Sequence, residues 1–339
     1  MDNFRTFLAR VKPDIDQKIA EVLTREHEID EEVKPLLLKG KRLRGGLLLY
    51  VADNLKPQGA GLDWKKALDL AVAGELSHGA SLILDDMLDE DLTRRGLPTL
   101  HLSRGQKQAM LDTIGILTLP YEIAGKYGDC YTQSLADTQR HMALGVLREM
   151  FEIRTRDLPA GSLYDTIITK KTGYGFGLAA LWGFMAAKDD VPMIKPWVEM
   201  EKWRTWGIHV GKTMQIADDI ADLLAVDLDN RGKRSWGSEI LLLMIGTEHL
   251  AKDLVSDLKD LELHPEKTKL ILSHAGVKEA LKDRMVKEST AAMMILMKME
   301  MDPDVFKLLG QVPFIIADIM LGEVLGEDRG GHKEREGTR

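Results

Sequence analysis

Apolar residues recur at three- and four-residue spacing along most of this 339-residue chain, and signals for strands are scarce. Phe4, Leu8, Val11 and Ile15 form one such stripe, and Leu68, Val72 and Leu76 another, each the face of an amphipathic helix. Leu, Ala, Met, Glu and Lys, all good helix formers, dominate the composition. Aromatic residues are only 6%, and no Asn-Gly or Asp-Gly turn joins alternating runs. Pro35, Pro57, Pro98, Pro159, Pro192, Pro265 and Pro303 fall between stripes and read as helix boundaries, while Pro120, inside an apolar stretch, is expected to kink or end a helix. The pattern predicts about ten to thirteen helices, with long ones near 3–25, 40–55, 64–90, 102–127, 130–155, 162–187 and 195–228 and shorter ones over 238–325. No linker or composition break divides the chain, so one all-α domain over 1–325 is expected, followed by a charged, glycine-rich, frayed tail over 326–339.

Charge and cysteine content exclude several functions. A net charge of −8 argues against general nucleic-acid binding. The single cysteine, Cys130, cannot form an intrachain disulfide or a thiolate zinc cluster, and fits a reducing, cytoplasmic compartment. The first residues carry charges throughout, unlike a signal peptide. The longest uncharged run, Thr172 to Ala187, falls short of the roughly 20 residues of a bilayer span, so no transmembrane segment is expected.

Two acidic pentads carry the chemistry. Asp85-Asp86-Met87-Leu88-Asp89 closes an apolar helical stretch that starts near Trp64. Residues four apart share a helix face, so Asp85 and Asp89 project together and repel unless a cation lies between them. Paired carboxylates suit Mg²⁺, which binds through one or two of them plus substrate phosphates. They also oppose the negative end of the helix dipole, a conflict that a bound cation relieves. Asp218-Asp219-Ile220-Ala221-Asp222, preceded by Gln215, repeats the arrangement on another long helical stretch. Either pentad alone could be a solvated acidic surface; two on otherwise apolar helices point to metal-bridged diphosphate binding. Basic clusters alternate with them: Gly40-Lys41-Arg42-Leu43-Arg44, Arg94-Arg95-Gly96, Lys170-Lys171-Thr172 and Arg231-Gly232-Lys233-Arg234. Arginine forks and lysine point charges both suit phosphate oxygens.

The run Leu84-Asp85-Asp86-Met87-Leu88-Asp89 through Arg94-Arg95-Gly96-Leu97-Pro98-Thr99-Leu100-His101, with Gly105, resembles the first aspartate-rich motif of trans-isoprenyl diphosphate synthases, the polyprenyl synthetase family. The basic run from Gly40 to Arg44, His78, Lys171-Thr172 with Phe176, Gln215 with the second pentad, and Gly232-Lys233 follow in the family's order. The resemblance implies an all-α bundle around a central cavity, a homodimer, and chain elongation from isopentenyl diphosphate and an allylic diphosphate, with three Mg²⁺ ions accompanying the bound diphosphate. Asp85, Asp89 and Asp218 would hold the ions, and Asp86, Asp219 and Asp222 would support them or bind through water. Arg94, Lys171 and Lys233 would grip the allylic diphosphate, and Lys41, Arg44, His78 and Arg95 the isopentenyl diphosphate. Thr172 and Gln215 would stabilise the developing carbocation. The chain departs from the family at Gly45-Gly46, where proline is usual, at Leu84 in place of histidine, at Thr113-Ile114 in place of Gly-Asp, in a longer loop before Lys233, and at Glu239.

Gly74, Ser77, Ala80 and Ser81, all small, precede Asp85, with Gly74, Ser77 and Ser81 on one face. In the resembling family, bulky residues near Ala80 and Ser81 accompany short products, so an open tunnel and a product of twenty carbons or longer are expected. Met110, Ile114 or Met142 could form the tunnel floor. Two other readings remain: a class I terpene cyclase, disfavoured by Asp222 and Val226 in its second motif, and an inactive partner subunit, disfavoured by two intact pentads. An acceptor other than isopentenyl diphosphate is hinted at only by Gly45-Gly46.

Overall fold

The structure, a computed structural model, describes residues 2–26, 29, 31–57, 59, 61–152, 160–188, 196–227, 241–242, 244–245, 265–274 and 276–325. Helix α1 (Phe4–Arg25) starts where Asn3 caps the Thr6 N–H, and it buries the stripe from Phe4 through Ile15 to Val22. There follow α2 (Lys34–Leu38), α3 (Leu43–Leu55) and α4 (Trp64–Leu88), the last capped by Asp63. A hairpin of β1 (Thr93–Arg94) and β2 (Leu97–Pro98) leads to α5 (Leu100–Arg104), α6 (Gln106–Gly125) and α7 (Asp129–Leu147). A π-helical turn (Arg148–Glu152) extends α7. Another (Thr169–Gly173) joins α8 (Ala160–Ile168) to α9 (Tyr174–Lys188). The longest helix is α10 (Pro196–Asp227), and α11 (Pro265–Ser273), α12 (Val277–Leu296), α13 (Pro303–Gly310) and α14 (Val312–Leu325) complete the described chain. The protein is all-α apart from the hairpin. Among the described residues, twelve helices have eight residues or more.

Helix α9 is apolar on every side and forms the centre of the bundle, with Phe176, Leu181, Trp182 and Phe184 all buried. Its neighbours approach closely at glycines. A Cβ at Gly183 would lie 2.6 Å from the Leu48 carbonyl of α3, and one at Gly207 of α10 would lie 2.5 Å from the Phe176 carbonyl. The Trp182 indole donates to Ser134 Oγ of α7 at 2.8 Å and meets Tyr131 edge-on. One apolar core runs from Phe4 to Met320, and a second cluster gathers Leu163, Tyr164 and Ile167 of α8 with Ile216, Ile220 and Leu223 of α10.

Several sequence expectations need correction. The expected helix over 102–127 is broken at Gly105, whose φ of +82° ends α5 before α6 begins. Pro120 does not end α6, which runs on to Gly125. The hairpin was not foreseen, because its turn is Arg95-Gly96, with φ of +54° and +76°. Two stretches, Trp64–Leu88 and Pro303–Gly322, do have the length and hydropathy of a bilayer span, although 61% of the first window is buried in the bundle and 44% of the second. The tail over 326–339, with residues 246–264, lies outside the described residues.

A charged brace ties α12 to α10 and α8. Buried Glu288 accepts from Lys212 at 3.0 Å, from Arg284 at 3.2 Å and from His209, while Arg284 also pairs with Asp165. Burial alone would push the Glu288 carboxyl up, but the His209 hydrogen bond and the Lys212 and His209 charges prevail and bring it down from 4.5 to about 2. A lowered folded pKa adds stability that is full above the ordinary value and is lost as pH falls towards 2. Glu288→Gln is therefore expected to lower stability at pH 7 by about 2–3 kcal/mol and to flatten its fall below pH 4.5, as measured by urea unfolding across pH.

Candidate active site

The first pentad ends α4. Asp85 and Asp89 lie one turn apart, with the Asp89 N–H bonded to the Asp85 carbonyl at 2.8 Å. Burial raises the Asp85 carboxyl, Lys171 opposes this, and Glu149 and Asp89 push it further up. Asp86 faces the other way. It is buried and accepts from Arg94 Nε at 2.7 Å and from the Arg94 Nη2 as well, a forked pair that closes the hairpin onto α4. Arg95, left-handed in the turn, donates to the Leu36 carbonyl at 3.0 Å.

The second pentad lies near the end of α10, where Asp218 and Asp222 share a face. Asp219 is fully buried and accepts from the Tyr164 hydroxyl at 2.6 Å and from Gln215 Nε2 at 3.0 Å. The Gln215 oxygen accepts in turn from the Thr172 hydroxyl at 2.6 Å. Burial raises the Asp219 carboxyl well above its usual range, against the opposing hydrogen bond from Tyr164.

The basic run before α3 divides its labour. Arg42, left-handed at φ +56°, is buried and donates to Asp16 at 2.6 Å and to the Leu37 and Leu38 carbonyls, so it shapes the loop. Lys41 lies with its ammonium 3.2 Å from Met320 Sδ of α14. Arg44 stacks over the Phe176 ring at 4.7 Å. Burial lowers Arg44 to about 10, while Glu75, Asp218 and Asp85 draw it back up, so the guanidinium stays charged and within electrostatic reach of both pentads. The glycine departure also has a local cause. Glu75 of α4 accepts the Gly45 N–H at 2.8 Å, a bond that proline at this position could not provide. A side chain at 46 would run into Leu8.

His78, half-buried on α4, has its Nδ1 turned inwards. Burial, then the charges of Arg44, Arg95, Arg94 and Arg42, hold its imidazole well below the ordinary pKa and therefore neutral. Among the described residues its Nδ1 and the Arg44 Nε have no hydrogen-bond partner, which marks a place for a polar ligand. From there a narrow apolar cavity runs past Gly74, Ser77 and Met142 to Trp182. Met110 and Ile114, offered above as floor, are instead exposed at 47% and 55%, because their side of α6 faces outwards. Met142 lines the wall.

Lys171 projects from the π turn Thr169–Gly173 and pairs with Glu149 at 2.5 Å, itself on the π turn Arg148–Glu152. Burial would lower the Lys171 pKa, but Glu149 and Asp85 raise it overall. Gly145 permits the two turns to approach, since a Cβ there would lie 2.5 Å from the Lys171 backbone nitrogen. Glu149, Tyr164 and Glu75 were not singled out from the sequence. Tyr164 precedes Lys171 by seven residues, two helical turns, which is the one periodic signal that could have found it. Lys233, its basic neighbours and Glu239 lie outside the described residues.

The carboxylates fit Mg²⁺ in their donor chemistry. Each pair offers hard oxygens at one-turn spacing, and a divalent cation would relieve the clustering felt by Asp85. Among the described residues no three potential ligands form a single coordination shell, so water or substrate oxygens would complete it. Glu149→Gln removes the internal anion on Lys171 and is expected to tighten metal-free binding of inorganic pyrophosphate by about three- to tenfold, as read by calorimetry.

The sequence model of the polyprenyl synthetase family matches residues 26–236, which include both pentads. A geranylgeranyl pyrophosphate synthase of Geoglobus acetivorans is 31% identical over 212 residues, covering 60% of this chain and 60% of that protein. The match thus spans less than two thirds of that relative. A geranylgeranyl diphosphate synthase of Pseudescherichia vulneris is 29% identical over 241 residues, covering 68% and 74%. The fold is that of a Caulobacter crescentus polyprenyl synthase, whose crystal structure is a complex with calcium and isoprenyl diphosphate: the TM-score is 0.74 at 21% identity, over 92% of this chain and 97% of that one.

Proposed function

Since the chain belongs to the polyprenyl synthetase family, we propose that it is a Mg²⁺-dependent trans-prenyltransferase that condenses isopentenyl diphosphate with an allylic diphosphate. One observation carries this reading: Asp85 of α4 and Asp218 of α10, one carboxylate from each pair, both act on Arg44 at the head of an apolar cavity. Asp85, Asp89, Asp218 and Asp222 would hold the metal, and bound there it supplies Lewis-acid stabilisation of the leaving diphosphate. Asp86 and Asp219, engaged by Arg94 and by Tyr164 with Gln215, support the ligands from behind.

The chain's own groups then account for the reaction. Lys171, with Arg94 and Lys233, binds the allylic diphosphate, and Lys41, Arg44, Arg95 and neutral His78 bind the acceptor diphosphate. The allylic C–O bond breaks with its electron pair going to the diphosphate oxygen. Oxygens of Thr172 and Gln215, hydrogen-bonded to each other, would stabilise the positive charge that develops on the allyl group. The isopentenyl double bond supplies the electrons of the new C–C bond, and the proton lost from the acceptor passes to the released diphosphate. No protein nucleophile is required. The apolar cavity receives the growing chain. Gly74 lies eleven residues, about 16 Å of helix, before Asp85, which supports a product of twenty carbons or longer.

A homodimer is part of the same reading. Met110, Leu111 and Ile114 of α6 and Leu144 and Leu147 of α7 are each exposed, large apolar side chains that a second copy would cover. The reading takes residues 1–325 as one catalytic unit in the cytoplasm.

Mass spectrometry of products tests the proposal. Purified protein with Mg²⁺, isopentenyl diphosphate and an allylic diphosphate of five to twenty carbons is expected to yield a ladder that stops at one length. Asp85→Asn and Asp218→Asn are each expected to lower kcat about 10²–10³-fold. A metal-dependent hydrocarbon in place of the ladder would instead make the protein a cyclase, and silence with every primer would make it an inactive subunit. Sedimentation of Ile114→Glu, expected to be monomeric where the unaltered chain is dimeric, tests the interface.

A further inference from the structure

Thr172 and Gln215 can stabilise a cation only with oxygen lone pairs turned towards it, and neither side chain sets its own orientation. An amide can present either oxygen or nitrogen, and a hydroxyl either hydrogen or lone pair. We propose that Tyr164 is a positioning residue that acts through Asp219 and Gln215 to turn the lone pairs of Thr172 towards the reaction, an inference that rests on the prenyl-transfer reading.

With both Asp219 oxygens accepting, the arrangement this structure holds, the direction of each hydrogen bond follows from the one before it. The Tyr164 hydroxyl donates to Asp219 Oδ2 at 2.6 Å. A phenol beside a carboxylate is the donor of the pair. The other carboxylate oxygen, Oδ1, accepts from Gln215 Nε2 at 3.0 Å. With its nitrogen on Asp219, Gln215 must offer its oxygen to Thr172, and the Thr172 hydroxyl donates to it at 2.6 Å. A hydroxyl has one hydrogen, so only lone pairs remain on Thr172. Were the amide reversed, its nitrogen would donate to Thr172, and the freed hydroxyl hydrogen could point at the cation.

Tyr164 is suited to anchor such a chain. Its ring is fully buried in the apolar cluster of Ile167, Ile220 and Leu223. The next residue, Asp165, is held by Arg284 of α12, and Lys212 of α10 lies 3.5 Å away. The phenol is thus delivered from a braced helix to a carboxylate whose other donor, among the described residues, is Gln215. Linked hydrogen bonds of this kind polarise one another and act as a unit.

A double-mutant cycle tests this. Tyr164→Phe keeps the ring and removes the donor, and it is expected to lower kcat about tenfold while KM for both diphosphates and the half-saturating Mg²⁺ concentration stay within about twofold. In a Thr172→Val background the same substitution is expected to cost less than about twofold. In a Thr172→Ser background, which restores the hydroxyl, the full penalty should return. Melting temperatures are followed throughout, and Tyr164→Met, which also lacks the donor, replaces Tyr164→Phe if that variant does not fold. Equal losses in the valine and threonine backgrounds, an unchanged kcat, or a shift in Mg²⁺ dependence would each overturn the inference while leaving prenyl transfer intact. Absence of elongation by the unaltered chain would overturn the underlying reading and this inference with it.

Discussion

Carboxylates placed on one face of an apolar helix repel each other, and most of the polar architecture of this protein answers that repulsion. Asp86 and Asp219, the middle acids of the two pentads, are buried and satisfied by protein donors. Their flanking partners, Asp85, Asp89, Asp218 and Asp222, all keep some exposure. The arginines and Lys171 surround the acids without neutralising them one for one, as Asp85 shows by its raised pKa. Such a site is assembled to be completed by a ligand that is itself charged. The fold supplies the rigidity this needs by packing α3 and α10 onto α9 at glycines, where backbones meet almost directly.

The same economy separates the two ends of the cavity. At the head, Arg44 and His78 present buried polar edges, one charged and one neutral. Below them the lining is small or apolar down to Trp182, whose only polar atom is taken up by Ser134. A molecule with an ionic head and a long hydrocarbon tail matches both halves at once.

Much of this was legible in the chain itself. Helical periodicity and the prolines at 35, 57, 265 and 303 located the elements, and the pentads with their basic runs marked the residues of the candidate site. What escaped notice depends on contacts between distant residues. Tyr164 finds Asp219 across 55 positions, and Glu149 meets Lys171 only because two irregular turns face each other. The exposure of Met110 and Ile114 depends on how α6 is rotated, which apolar spacing alone does not fix. The Arg95-Gly96 turn lacks the usual asparagine or aspartate, so its left-handed backbone could not be read from residue type. Pro120 shows the converse: an interior proline is tolerated in a helix held by its packing.

The π turn at Thr169–Gly173 holds one residue more per turn than the α-helix on either side of it. That surplus sets the phase between α8 and α9. Loss of a single residue there would restore uninterrupted α-helix and swing everything on one side of it by about 100° relative to the other. Lys171 and Thr172 would then no longer face Glu149 and Gln215, though composition, charge and helix content would hardly change. Along this stretch the chain should accept exchanges of side chain far more readily than changes of length, so its evolutionary clock would run in substitutions and not in gaps.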